Sequence, residues 1–159
     1  MSRWTFAAVV LLAVGIASPV FAQDAHVGTW KLNFAKSKLV PPASGPQPQS
    51  VTRTYEMFEG DGIKATFATI SADGKSTTSS YSVHFDGKDY PYTGSATLDA
   101  IAVKRIDNRS WDATNKKAGK VVSAGTNVVS QDGKTLTWTY KGTDTQGQPT
   151  SGVQVFDKQ

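Results

Sequence analysis

The chain has 159 residues, no cysteine and a formal net charge of +4, from 17 lysines and arginines against 13 aspartates and glutamates. That length suits one domain with a core of its own, and without a thiol the core must hold without disulfides or a thiolate metal site. The basic residues are scattered, and the densest run, Lys116-Lys117-Ala118-Gly119-Lys120, has no aromatic ladder beside it, so no nucleic-acid partner is expected.

In chain order the first feature is a leader. Arg3 precedes an uncharged, almost wholly apolar run from Phe6 to Ile16, then Pro19 and Val20-Phe21-Ala22. A positive start, a short apolar run and small residues at the first and third positions before a cut define a secretory signal peptide. The run is too short to cross a hydrocarbon core of about 30 Å. Residues 1–22 are therefore read as a signal peptide cleaved after Ala22. Residues 23–159 form one domain, periplasmic or secreted, with no membrane span once the leader is gone. With no cysteine at the cut, a lipid anchor is not expected.

A first strand is expected over 28–34. The segment 41–49 follows with four prolines, Pro41, Pro42, Pro46 and Pro48. Proline fixes φ and lacks the backbone donor, so this stretch reads as an extended loop over an opening, not as helix or central strand. From Ser50 onward the pattern is strand, turn, strand. Asp61-Gly62, Asp73-Gly74, Asp86-Gly87 and Asp132-Gly133 mark hairpin bends. Further strands are expected near 50–58, 62–71, 76–86, 89–93, 96–106, 109–116, 120–130, 134–142 and 150–157. Between bends the side chains alternate with period two. Leu136, Trp138 and Tyr140 share a face opposite Thr135, Thr137 and Thr139; Tyr81, Val83 and Phe85 oppose Ser80, Ser82 and His84. One apolar and one polar face per strand mark a sheet that is wet on one side only. The fold class is all-β, a single antiparallel up-and-down β-barrel of about eight to ten strands, since closure removes exposed edges. A β-sandwich is the alternative.

Three runs sharpen this reading: Gly28-Thr29-Trp30-Lys31-Leu32-Asn33-Phe34-Ala35-Lys36-Ser37-Lys38, Asp86-Gly87-Lys88-Asp89-Tyr90-Pro91 and Asp132-Gly133-Lys134-Thr135-Leu136-Thr137. In that order they resemble secreted bacterial proteins of lipocalin-like type, within the calycin and fatty-acid-binding-protein superfamily. The resemblance implies a carrier barrel whose closed end is plugged by Trp30. It also exposes departures. The family's arginine and tyrosine on the last strand, which hold a fatty-acid carboxylate, correspond to Gln154 and Phe156. The Pro-rich segment stands where the family has two helices. No arginine on the last strand can cover Trp30, which leaves Arg53, Arg105 or Arg109 for that role.

Other motifs carry less. Gly74-Lys75-Ser76 and Gly133-Lys134-Thr135 look like the end of a phosphate loop, but Thr69 and Val128 occupy the position of its first glycine. Both read as hairpin turns. Two separated histidines, His26 and His84, do not make a metal site, and Asp86 with Asp89 lacks the oxygen density of a calcium site. No metal and no cofactor is expected. There is no nucleophile elbow and no Cys–His pair, so the chain is not read as an enzyme. Asn108-Arg109-Ser110 matches a glycosylation sequon and reads equally as a turn. The suggestive set is aromatic. Tyr55, Phe67, Tyr81, Trp138 and Tyr140 fall on inward faces, with Arg53 among them. These six residues are the candidate ligand site: apolar walls with one polar anchor. Plain core packing is the other reading of the aromatics. The function expected is non-covalent binding of a small hydrophobic or amphipathic molecule in the barrel. The alternative is a protein-interaction or inhibitor module with a packed interior. The oligomeric state is open, with a monomer favoured.

Full-length protein made in a diderm bacterium is expected to accumulate outside the cytoplasm with Gln23 as its first residue. N-terminal sequencing checks this, and a product that keeps residues 1–22 would refute the leader.

Overall fold

The computed structural model describes residues 24–42 and 45–159; the expected leader, 1–22, lies outside the described residues. The strands are β1 (Gly28–Leu32), β2 (Lys38–Val40), β3 (Ser50–Phe58), β4 (Gly62–Ile70), β5 (Ser76–Val83), β6 (Asp86–Thr93), β7 (Ala100–Arg105), β8 (Ser110–Lys117), β9 (Lys120–Val129), β10 (Thr135–Thr143) and β11 (Pro149–Lys158). Every pairing is antiparallel, and each strand from β3 to β11 pairs with the next. β1 closes the ring by pairing on both sides, Trp30 opposite Arg53 of β3 and opposite Lys158 of β11. The result is a closed ten-stranded barrel with β2 as an extra strand, not a sandwich.

β2 is legible only in three dimensions. After β1 the chain makes a single 3-10 turn at Phe34–Lys36, and Asn33 caps it by accepting the Lys36 amide. The turn is pinned to β11. The Asn33 amide donates to the Val155 carbonyl at 2.8 Å, Asn33 Nδ2 donates to Asp157 at 2.7 Å, and the Val155 amide donates to Ser37 Oγ at 3.0 Å. β2 then resumes pairing further along β11, Lys38 opposite Val153. Two short segments thus share one long partner.

The bends form largely where Asp-Gly stands. In Ser71–Gly74 and Ser130–Gly133 the glycine amide donates to the serine carbonyl at 2.9 Å, and the glycines adopt φ of +84° and +69°. That backbone suits glycine and accounts for both phosphate-loop lookalikes. Asp61-Gly62 only closes its bend, whose positive φ falls on Glu59 and Gly60 with Gly62 already in β4, and Asp86-Gly87 forms no bend at all. Instead of a hairpin turn it lies inside β6, where the register against β7 shifts between Asp86 and Asp89. The chain bends earlier, at His84-Phe85, because Phe85 is drawn inward against Trp111, 5.1 Å between ring centroids, and the Arg105 guanidinium stacks 3.6 Å over it. The strand expected from 96 begins at Ala100, after a bend in which Ser95 Oγ accepts the Thr97 and Leu98 amides.

The core comprises inward residues of all the long strands, with Trp30, Trp111, Tyr55, Ile63, Val83, Val103, Val129, Leu136 and Phe156 fully buried. The start of β1, the end of β11 and the bends after β3, β5, β7 and β9 lie at one end of the barrel. Trp30 is buried there, and its Nε1 donates to the His26 carbonyl at 2.7 Å. The cation over its ring is Lys158, 5.0 Å from the centroid. None of the three arginines considered takes that role: Arg53 lies over Phe156 and Phe67, Arg105 over Phe85, and Arg109 donates to the Ser130 and Gln131 carbonyls.

His26 seals this end. Its ring is fully buried and stacks on Trp111 at 3.4 Å, with Nδ1 3.0 Å from Asp24 Oδ1. Asp24 also pairs with Arg105 at 2.6 Å. Burial pushes the His26 pKa below its ordinary value, and among the described residues Nε2 has no hydrogen-bond partner with which a second proton could be satisfied. Burial works against the Asp24 carboxylate too, but the hydrogen bonds from His26 and Arg105 outweigh it and lower its pKa to about 2. In both cases the unfolded chain binds more protons, so stability rises with pH and is lost as pH falls. The His26 contribution is complete above 6.5 and lost toward its depressed folded pKa; that of Asp24 is complete above 3.8 and lost toward about 2. A Tm profile is expected to decline in these two steps, and His26→Gln to remove the upper one. A wild-type Tm that stays flat below pH 6.5, down to the onset of the Asp24 step, would contradict this account.

Candidate functional site

Alternation along β3 turns Val51, Arg53 and Tyr55 to the barrel interior, and Tyr55 is fully buried. Arg53 reaches across the lumen. Its Nη2 donates to Gln154 Oε1 of β11 at 2.7 Å, and its Nη1 makes a longer contact of 3.4 Å with Asn127 Oδ1 of β9. The guanidinium carbon lies 4.2 Å from the Phe156 ring centroid and 5.4 Å from that of Phe67. These partners are all neutral. Among the described residues, the ion pairs of Lys and Arg involve other side chains. A half-buried cation without a carboxylate is expensive unless something else supplies the negative charge.

Beside Arg53 the aromatic residues form a connected wall. Phe67 meets Tyr55 edge-on at 6.4 Å and lies against Tyr81 at 5.6 Å and Tyr92 at 5.9 Å. Tyr81 and Tyr92 are 5.5 Å apart. The Tyr92 hydroxyl is 3.2 Å from Ser79 Oγ. Burial pushes the phenol pKa values of Tyr81 and Tyr92 up, so both remain neutral hydrogen-bond donors at physiological pH.

These side chains surround an interior cavity of about 160 Å³. Five of the six expected ligand residues line it: Arg53, Tyr55, Phe67, Tyr81 and Trp138. Tyr140 does not. It stacks on Trp138 at 5.9 Å, further along the same face of β10 and half-buried. Sequence reasoning missed Tyr92, Leu98, Asn115 and Asn127, which also line the cavity. Tyr92 lies in a short strand next to a proline. Asn127 sits in Val121 to Val129, where valines on both faces hide the alternation. Asn115 precedes a register shift in the β8–β9 ladder.

No protein-family model matches the chain, and no curated protein matches it in sequence. The fold does have solved counterparts. A point mutant of the fluorescent protein UnaG superposes with a TM-score of 0.56 at 13% identity, covering 86% of this chain and 97% of that one. Wild-type UnaG gives 0.53 at 13% identity, over 84% and 96%. At that identity the likeness establishes the architecture alone: a closed antiparallel β-barrel of nearly the same extent.

Gly152 lets β11 pack closely between β2 and Tyr140 of β10. A Cβ there would meet Tyr140 Cε1 at 2.8 Å, Leu39 Cδ2 at 2.9 Å and the Lys38 carbonyl oxygen at 3.0 Å. Gly152→Ala is expected to cost about 1–3 kcal/mol, as overpacking does, read as a lower midpoint in urea. An unchanged midpoint would show that the Tyr140–Trp138 stack is free to move.

Proposed function

We propose that this chain is an exported carrier, periplasmic or secreted, that holds a small hydrophobic or amphipathic molecule non-covalently in its barrel. The secreted lipocalin-like proteins that its sequence resembles would be its relatives. The carrying observation is Arg53: a guanidinium turned into an aromatic-walled lumen, bonded to Gln154 and Asn127 and to no carboxylate among the described residues. An acidic or strongly polar head would complete it with short, charge-assisted hydrogen bonds. The aromatic wall would contribute affinity by burial. The reading gives the chain no catalytic step.

The size of the cavity supports a second reading. About 160 Å³ is below the roughly 300–1,000 Å³ of ordinary small-molecule sites, as in a packed module that works through its surface. Native mass spectrometry of the mature protein taken from its own host separates the two. A carrier is expected to retain an extra mass, and in titrations Arg53→Gln is expected to weaken an anionic probe such as 1-anilinonaphthalene-8-sulfonate by roughly 10–100-fold, the worth of a hydrogen bond to a charged group. No retained mass and no bound probe would leave only the packed module.

A further inference from the structure

The geometry points to a strand-docking slot: an extended, acidic segment of a partner protein pairs its main chain with the free edge of β2 and seats alternate apolar side chains in a chamber behind that edge. This inference goes beyond the carrier reading and needs nothing bound in the lumen.

The slot begins at a broken strand. β1 and β2 both run antiparallel to β11, separated by the turn at Phe34–Lys36, but only β1 also pairs with β3. The last residue pair of the β1–β3 ladder is Lys31 with Thr52. Past that point β2 has a strand on one side only among the described residues.

The direction of the hydrogen bonds shows what this edge offers. The Val155 carbonyl accepts from the Asn33 amide, and the Val155 amide donates to Ser37 Oγ. The backbone of Val155 therefore points to the side of β1 and β2. Backbone direction alternates along an antiparallel strand, so Val153 and Ser151 point the same way and bond their partners Lys38 and Val40. Leu39, between those two, directs its N–H and C=O away from β11. Neither group has a partner among the described residues. A docking strand engages such a donor and acceptor together.

Behind the edge lies a chamber of about 620 Å³, at the end of the barrel opposite Trp30 and His26. Leu32, Phe34, Leu39 and Val51 form its apolar wall. The segment that follows β2 also lines the chamber, but Pro42, Pro46 and Pro48 have no N–H with which to pair along the edge. Lys38 is the one charged residue of the lining; it is exposed and forms no ion pair among the described residues. A partner is thus read three ways: its main chain by Leu39, apolar side chains at every second position by the chamber, and a carboxylate by Lys38. An alkyl chain would fill the chamber and leave Leu39 unpaired. Shortness and the proline after Val40 guard the edge against indiscriminate pairing, which leaves it to a segment that also fits the chamber.

Mature protein titrated with a blocked synthetic peptide, Glu-Val-Thr-Val-Thr-Val, tests this. The peptide is expected to bind and to slow hydrogen exchange at the Leu39 amide by roughly tenfold or more. Leu39→Pro removes an N–H that β11 does not use and is expected to weaken binding roughly tenfold. Leu39→Val keeps both the N–H and an apolar wall and is expected to stay within about threefold of wild type. The peptide with glutamine in place of glutamate is expected to bind roughly two- to fivefold more weakly, as an exposed ion pair allows. If Leu39→Pro fails to fold, exchange at Leu39 in the wild type still decides. No binding, binding with Leu39 exchange unchanged, or equal affinities for the proline and valine variants would overturn the strand pairing. Equal binding of both peptides would overturn the acidic partner. Protection of Leu39 that grows with protein concentration alone would put a second copy of this chain in the slot and overturn the foreign partner.

Discussion

Everything inside this protein depends on β1 pairing with both β3 and β11. Trp30 is the residue at which the ring closes, opposite Arg53 on one side and Lys158 on the other. An antiparallel sheet with one apolar face has two unpaired edges and an oily surface; closing it removes both problems together. In this chain closure also brings β3 within reach of β11, and only then can Arg53 and Gln154 meet. The site is thus a product of the closure and belongs to no single strand or hairpin.

Closure leaves the two ends of the barrel with different chemistry. At the end that holds Trp30 the interior is finished with costly parts: a buried histidine stacked on Trp111, an aspartate with its side chain buried, and the arginine that pairs with it. His26 Nε2 and Trp111 Nε1 there are buried without partners among the described residues. Such groups stabilise a fold only while their protonation states are kept. At the other end the broken β1–β2 strand and the Pro-rich segment leave space. One end therefore answers to acid, and the other has room for a guest.

Much of this was legible in the sequence, for a reason that is physical. The strands between Asp-Gly bends alternate strictly, so the inward facing of Arg53, Tyr55, Phe67, Tyr81 and Trp138 could be read from parity alone. What parity cannot carry is partnership. Arg53 bonds residues 74 and 101 positions away, and nothing local announces them. Asp86-Gly87 misled because the dipeptide suits a bulge as well as a turn, and the choice was made by Phe85 docking on distant Trp111 and Arg105. β2 was invisible because three residues set no period. Trp30 has no arginine over it for a simpler reason: Lys158 performs the same electrostatic task.

The ladders around the ring are unequal. β5 and β6 share only two residue pairs, Ser80 with Thr93 and Tyr81 with Tyr92, whereas β3 and β4 share nine. A closed hoop strained from within parts at its thinnest link, and here that link runs beside Tyr81 and Tyr92 of the cavity lining. The lumen can therefore widen along this seam by sacrificing a few backbone hydrogen bonds while the long ladders stay intact. The amides at this seam should accordingly be among the first in the barrel wall to exchange with solvent.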